Sequence, residues 1–167
     1  LIGQNWALNI GGVVTRTMRG GFVDETPGLG YLWTENAVTP LEQDARSVGL
    51  RRRDGESDIF TAVFNGKKVD FIIRMNENKQ IYALPLGQTD VRIECEGTST
   101  EITGWAITDN NGDCYIYRQR EICKDVEYVD VSTSNAISDS GYTSAWHLTC
   151  ILPYNGAAIG FHYNGDA

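Results

Sequence analysis

Ile59-Phe60-Thr61-Ala62-Val63-Phe64, then Asn65-Gly66, then Val69-Asp70-Phe71-Ile72-Ile73-Arg74-Met75 is the stretch on which the fold class turns. Each flank is a short run rich in β-branched and aromatic residues. Asn-Gly between two such runs is the strongest local hairpin signal, because both residues tolerate the positive φ that a tight hairpin turn needs. Working outward, the same signature predicts strands at 6–10, 12–18, 31–34, 59–64, 69–75 and 80–84. A second set follows at 91–94, 102–108, 114–119, 127–131, 144–152 and 158–163. Asn76-Glu77-Asn78, Asn110-Asn111-Gly112-Asp113 and Tyr154-Asn155-Gly156 supply further turns.

One stretch reads as helix. Thr39-Pro40 offers an N-cap and a first-turn proline, and Gly49 offers a stop. The chain is therefore expected to be all-β with one short helix after the early strands. Residues 85–90 divide the strands into two sets of about six, which predicts two six-stranded antiparallel barrels over residues 1–86 and 87–167.

Composition narrows the function classes. At 167 residues the chain is long enough for a real core, and 41% hydrophobic content is globular. No apolar run reaches the ~20 residues of a membrane span. A net charge of −8 argues against nucleic acid as main partner. The triplet Arg51-Arg52-Arg53 runs straight into Asp54, Glu56 and Asp58, which reads as a solvated charged turn. Cys95, Cys114, Cys123 and Cys150 fit no zinc spacing. Cys114 and Cys123 flank an apparent hairpin and could pair, or all four could be free thiols in apolar strands.

Three segments carry possible chemistry: Ser138-Asp139-Ser140-Gly141 before a strong strand, Gly160-Phe161-His162-Tyr163-Asn164-Gly165 near the end, and Thr34-Glu35-Asn36-Ala37-Val38 before the helix. Singly, each is an ordinary turn or strand end. Together they resemble the chymotrypsin-like (3C-like) serine proteases of positive-strand RNA viruses. That family places a G-D-[SC]-G nucleophile loop before a hairpin whose second strand carries G-x-H-x-x-G, and a T-x-x-H-[VL] stretch before a short helix. The match covers the layout of most of the chain but only these motifs in residue detail. It departs at Ala37, where the family has its histidine base, and at Ser138, where it usually has glycine. Two origins for Ala37 remain open, deliberate silencing of a self-digesting protease or a naturally inactive homologue.

The resemblance implies a polyprotein-processing endopeptidase, inactive as written. Ser140 would be the nucleophile and position 37, as histidine, its base. Asp70 would orient that imidazole, with Asp58 as the alternative, because an acid among apolar strand residues needs a partner. The backbone N–H groups of Ser138 and Ser140 would form the oxyanion hole. His162 would lie in the S1 pocket with Thr133 and Asn135 nearby, implying cleavage after Gln or Glu. His147 reads as structural. The family implies no metal and no cofactor, a peptide or polyprotein substrate, possible homodimerisation and release into the host cytoplasm. Leu1 reads as a start inside a larger precursor. The alternative from another class is a secreted, disulfide-bonded β-sandwich or barrel binding module, a lectin or toxin-like effector, displaying Trp6, Trp33, Trp105 and Trp146.

Overall fold

The computed structural model describes residues 11–19, 21–34, 54–124 and 141–164. Its elements are β1 (Val13–Thr17), a single helical turn α1 (Tyr31–Thr34), β2 (Ile59–Phe64), β3 (Lys67–Met75), β4 (Ile81–Pro85), β5 (Arg92–Thr98), β6 (Glu101–Thr108), β7 (Cys114–Cys123), β8 (Tyr142–Leu152) and β9 (Ile159–Gly160). The all-β class is as expected. No helix among the described residues is long and apolar enough to cross a membrane. The expected helix over 39–49 and the strands at 6–10 and 127–131 lie outside the described residues.

All the strands among the described residues belong to one antiparallel sheet in the order β4-β3-β2-β1-β8-β7-β6-β5, with β9 paired to β8. Strand β1 is the junction. It pairs with β2 through Thr15↔Thr61 and with β8 through Val14↔Trp146, so residues on both sides of the 86/87 division share one sheet. The sheet curls until its ends, β4 and β5, lie beside each other, which makes a near-closed barrel. Contacts across the interior follow from that closure. The ring centroid of Trp105 on β6 lies 5.1 Å from Phe60 on β2, 5.0 Å from Phe71 on β3 and 5.6 Å from Trp146 on β8.

Side-chain alternation explains which residues fill the barrel. In β2, Phe60, Ala62 and Phe64 are buried while Val63 points outward, the two-residue period of a pleated strand. The β2–β3 turn is the Asn-Gly hairpin that the sequence predicts, with Asn65 at φ 44° and Gly66 at φ 72°. Trp105, Trp146, Phe60 and Phe71 pack as tilted, stacked or edge-on rings in the centre of the core. Trp105 and Trp146 are thus core residues rather than displayed aromatics.

Tyr31–Thr34, expected as a strand, is instead the one-turn α1. The turn closes through the Trp33 N–H, which donates to the Gly30 carbonyl at 3.0 Å, and the Leu32 N–H reaches back to the Asp24 carbonyl at 3.2 Å. Leu32, buried to 1%, joins the core from this turn, so the apolar run that resembles a strand belongs to a segment covering one barrel end. Gly30 makes the cover possible. A Cβ there would fall well inside contact distance of the Val23 and Asp24 carbonyl oxygens, both backbone atoms that cannot swing aside. Gly30→Ala is therefore expected to cost about 2 kcal/mol, seen as a fall of roughly 5 °C in the melting temperature with the far-ultraviolet spectrum retained.

Candidate functional site

The chemically dense region lies under that cover. Val14 and Arg16 share the inward face of β1, so alternation sends a guanidinium into the barrel end. Its carbon sits 5.0 Å from the Phe60 ring centroid and 5.3 Å from that of Trp146, a cation–π arrangement on two faces. Arg16 Nη2 donates to Glu25 Oε1 at 2.6 Å, and Arg16 Nε lies 3.7 Å from Asp58 Oδ2.

Two further acids, Asp24 and Asp54, belong to this end, and Asp24 and Asp58 brace each other. The Asp58 N–H donates to Asp24 Oδ1 at 3.0 Å, and the Asp24 N–H donates to Asp58 Oδ2 at 3.3 Å. Ser57 Oγ donates to Asp24 Oδ2 at 3.1 Å and the Arg19 N–H to Asp58 Oδ1 at 2.8 Å. Asp54 ties in through its backbone. Its N–H donates to the Leu29 carbonyl at 2.8 Å, and its carbonyl accepts from Thr34 Oγ1 at 2.8 Å. The Asp54 carboxylate accepts the Glu56 N–H at Oδ1, 3.1 Å away, while its buried Oδ2 has no hydrogen-bond partner. The Phe22 amide pulls on this carboxylate without reaching hydrogen-bond geometry at Oδ2. One carboxylate oxygen from each of Asp24, Asp54 and Asp58 lies within 4.8 Å of the others.

Burial dominates the electrostatics. Loss of water raises Asp58 to a pKa of about 7, and the neighbouring Asp24 charge pushes the same way. Burial likewise raises Asp24 to about 6 against the pull of the Asp58 N–H and the Ser57 hydroxyl. Asp54 is raised for the same first reason. In chemical terms the end of the barrel is a dry set of hard oxygen donors with one buried guanidinium, that of Arg16, among the described residues.

The acids after the arginine triplet therefore depart from the solvated turn expected of them, since Asp54 is 2% and Asp58 0% exposed. Each is buried because its carboxylate caps backbone N–H groups that the folded segment leaves without strand partners. Asp58 was singled out in the sequence, and the parity of Arg16 with Val14 in Val13-Val14-Thr15-Arg16-Thr17 is a signal that could have led to the rest of the cluster. Asp24 and Glu25 carried no such signal, being placed by the tertiary fold.

The other expected site residues are distributed elsewhere. Ala37, Thr133, Asn135, Ser138 and Ser140 lie outside the described residues. Asp70 is on the outer wall of β3, where Thr61 Oγ1 donates to it at 2.6 Å and Lys68 Nζ lies 3.2 Å away. The Thr61 hydrogen bond, with Lys68 behind it, holds Asp70 below the usual carboxylate range. His162 is exposed just past β9. His147 points outward from β8, with Nε2 3.2 Å from Glu121 Oε2 and its ring 5.7 Å from that of Tyr163. All four cysteines are free. Cys114 and Cys123 sit at opposite ends of β7, separated by roughly 30 Å of extended strand, so the expected pairing is geometrically impossible. Burial pushes the Cys95 thiol up to about 12, which leaves it unreactive as a thiolate.

No family model, curated protein or solved structure matches this chain.

Proposed function

We propose that the chain is a β-barrel binding module that takes an extended peptide along the open seam between β4 and β5. The observation carrying this is the barrel's one break in strand pairing among the described residues. β4 and β5 are neighbours, yet the ladder ends at both. The interior is filled by Trp105, Trp146, Phe60 and Phe71, which favours a ligand on the wall over one inside. An unpaired edge is a template for another strand, and main-chain hydrogen bonds supply affinity while side-chain positions supply selectivity. Along this seam Tyr82, Leu84 and Leu86 are exposed at alternate positions, next to a shallow depression lined by Leu84, Pro85, Gly87 and Gln88. The fitting partner is a peptide strand with apolar side chains at every second position.

A display library of random octapeptides tests this. Enrichment of alternating apolar sequences, amide protection gained over 81–85 on binding, and about tenfold weaker binding by Leu84→Asp are expected. Absence of enrichment, or binding that leaves β4 amides unprotected, would sink it.

One observation favours the protease as a second proposal. Strands β8 and β9 form an antiparallel hairpin, with Cys150↔Gly160 and Ile151↔Ile159, directly before His162. That is where the 3C-like pattern puts its S1 histidine strand. This proposal brings with it the two-barrel division at 86/87, Ser140 as nucleophile, Asp70 or Asp58 as the acid, and cleavage after Gln or Glu in a host cytoplasm. Restoring Ala37→His and screening the same library by mass spectrometry separates the two. Cleavage after Gln or Glu that disappears in Ser140→Ala selects the protease. Binding without cleavage selects the module.

A further inference from the structure

We infer that Asp24, Asp54 and Asp58 together hold one divalent cation of calcium size between the 21–34 segment and the start of β2. Neither function proposed above requires or supplies this site.

Charge balance is the first ground. Asp24, Glu25, Asp54 and Asp58 are all buried, and Arg16 is the one buried cation among the described residues. Arg16 is engaged at 2.6 Å with Glu25 and approaches Asp58 only at 3.7 Å. Among the described residues, the three aspartates are thus left with most of their charge unanswered where water does not reach, an arrangement that burial normally forbids without a partner.

The second ground is independent of the first. Asp54 Oδ2 is a buried carboxylate oxygen without a hydrogen-bond partner, on a side chain whose ligand oxygen lies within 4.8 Å of those of Asp24 and Asp58. A buried acceptor left in this state marks a missing donor or cation. The bonded oxygens do not compete with a metal, since each carboxylate oxygen has a second lone pair. The backbone N–H groups of Asp24, Asp58 and Arg19 and the Ser57 hydroxyl fix the directions of those remaining lone pairs.

Donor type and ease of dehydration select the ion. An all-oxygen, carboxylate-only set suits hard cations and not zinc or copper. Three oxygens within 4.8 Å of one another can share one hard cation, and Mg²⁺ resists giving up its waters in a dry site, which favours the more readily dehydrated calcium ion. The ion would tie Asp24, in the segment that covers the barrel end, to Asp54 and Asp58, which lead into β2. Its effect is thus a pinned cover.

The test uses the whole chain, stripped with EDTA and titrated with CaCl2, MgCl2 or MnCl2 near pH 7.5. Calcium is expected to bind at one ion per chain by calorimetry and to raise the melting temperature by at least about 5 °C at millimolar levels, with magnesium about tenfold weaker or worse. Asp54→Asn, which keeps the shape and the Glu56 bond, should bind calcium about tenfold more weakly while retaining the wild-type spectrum. Should that variant fail to fold, Mn²⁺ added to the wild-type protein decides. Paramagnetic broadening must centre on the amides of Asp24, Asp54, Ser57 and Asp58. No binding by any of the three ions up to about 10 mM, unchanged affinity in a folded Asp54→Asn, or broadening centred elsewhere would each overturn the site.

Discussion

Arg16→Met is expected to lower the melting temperature by roughly 10 °C near neutral pH, a loss of about 3–5 kcal/mol. Methionine nearly matches the length and volume of the arginine stem, so the Phe60 and Trp146 rings keep most of their packing. What disappears is the counter-charge at 2.6 Å from Glu25 and 3.7 Å from Asp58. Breaking a buried pair by removing one partner costs more than the pair contributes, because the other charge stays behind. Two companion measurements make the cause specific. Arg16→Met/Glu25→Leu should recover much of the loss, since an apolar pair of similar volume replaces an ionic one. The single variant should also lose less at pH 5 than at pH 8, because Asp24 and Asp58 are then neutral. A single variant less than about 1 kcal/mol weaker than wild type would mean that the guanidinium does not balance the barrel end.

The strands were legible because they depend on local chemistry. Alternation in Ile59–Phe64, the Asn65-Gly66 turn and the Asp109–Asp113 loop each carry their own signal, and the structure has each where expected. The way the strands join was not legible. Whether β1 pairs with β2 alone or also with β8 depends on contacts between residues such as Val14 and Trp146, 132 positions apart by subtraction, and no local pattern reports them. Tyr31–Thr34 failed for a related reason. Four apolar-rich residues after a glycine suit a strand or a turn equally, and the burial of Leu32 under the barrel end decides.

Site residues divide along the same line. Asp70 stood out in Val69-Asp70-Phe71-Ile72-Ile73 as a charge among apolar neighbours, but alternation turns it outward, where Thr61 and Lys68 satisfy it. Asp54 and Asp58 followed three arginines and looked like half of a solvated charge run. Their burial comes from backbone donors at Glu56, Asp24 and Arg19, which become available only after the chain has folded over itself. A charge pattern in sequence shows how many charges there are and not which of them water can reach.

The same burial gives the second large effect, a stability that falls as pH rises. In chelator, the protein should be about 3 kcal/mol less stable at pH 8 than at pH 5, roughly 8 °C in melting temperature. Asp24 and Asp58 start from the ordinary aspartate value of 3.8 and are raised to about 6 and about 7 on folding. Between roughly pH 4 and 7 the folded chain therefore holds protons that the unfolded chain has released. Stability drops through that window, by up to 1.36 kcal/mol per pH unit for each such proton, and levels off above it. The two shifts do not add in full, because part of the rise at Asp58 is the Asp24 charge itself. Among the described residues, Arg16 on β1, Arg19, whose guanidinium lies 3.3 Å from Glu56, Glu25 beside Asp24, and Glu56 next to Asp54 are the other charged groups at this end. Asp70 and Glu96 have lowered values, so their contribution is lost only in acid, below the window in question. Asp58→Asn removes the group with the larger shift while keeping an acceptor, and it should flatten the profile by more than half. A melting temperature that rises from pH 5 to pH 8 in the presence of chelator would show that these carboxylates are ionised at low cost, and so that water or an unseen cation already reaches them.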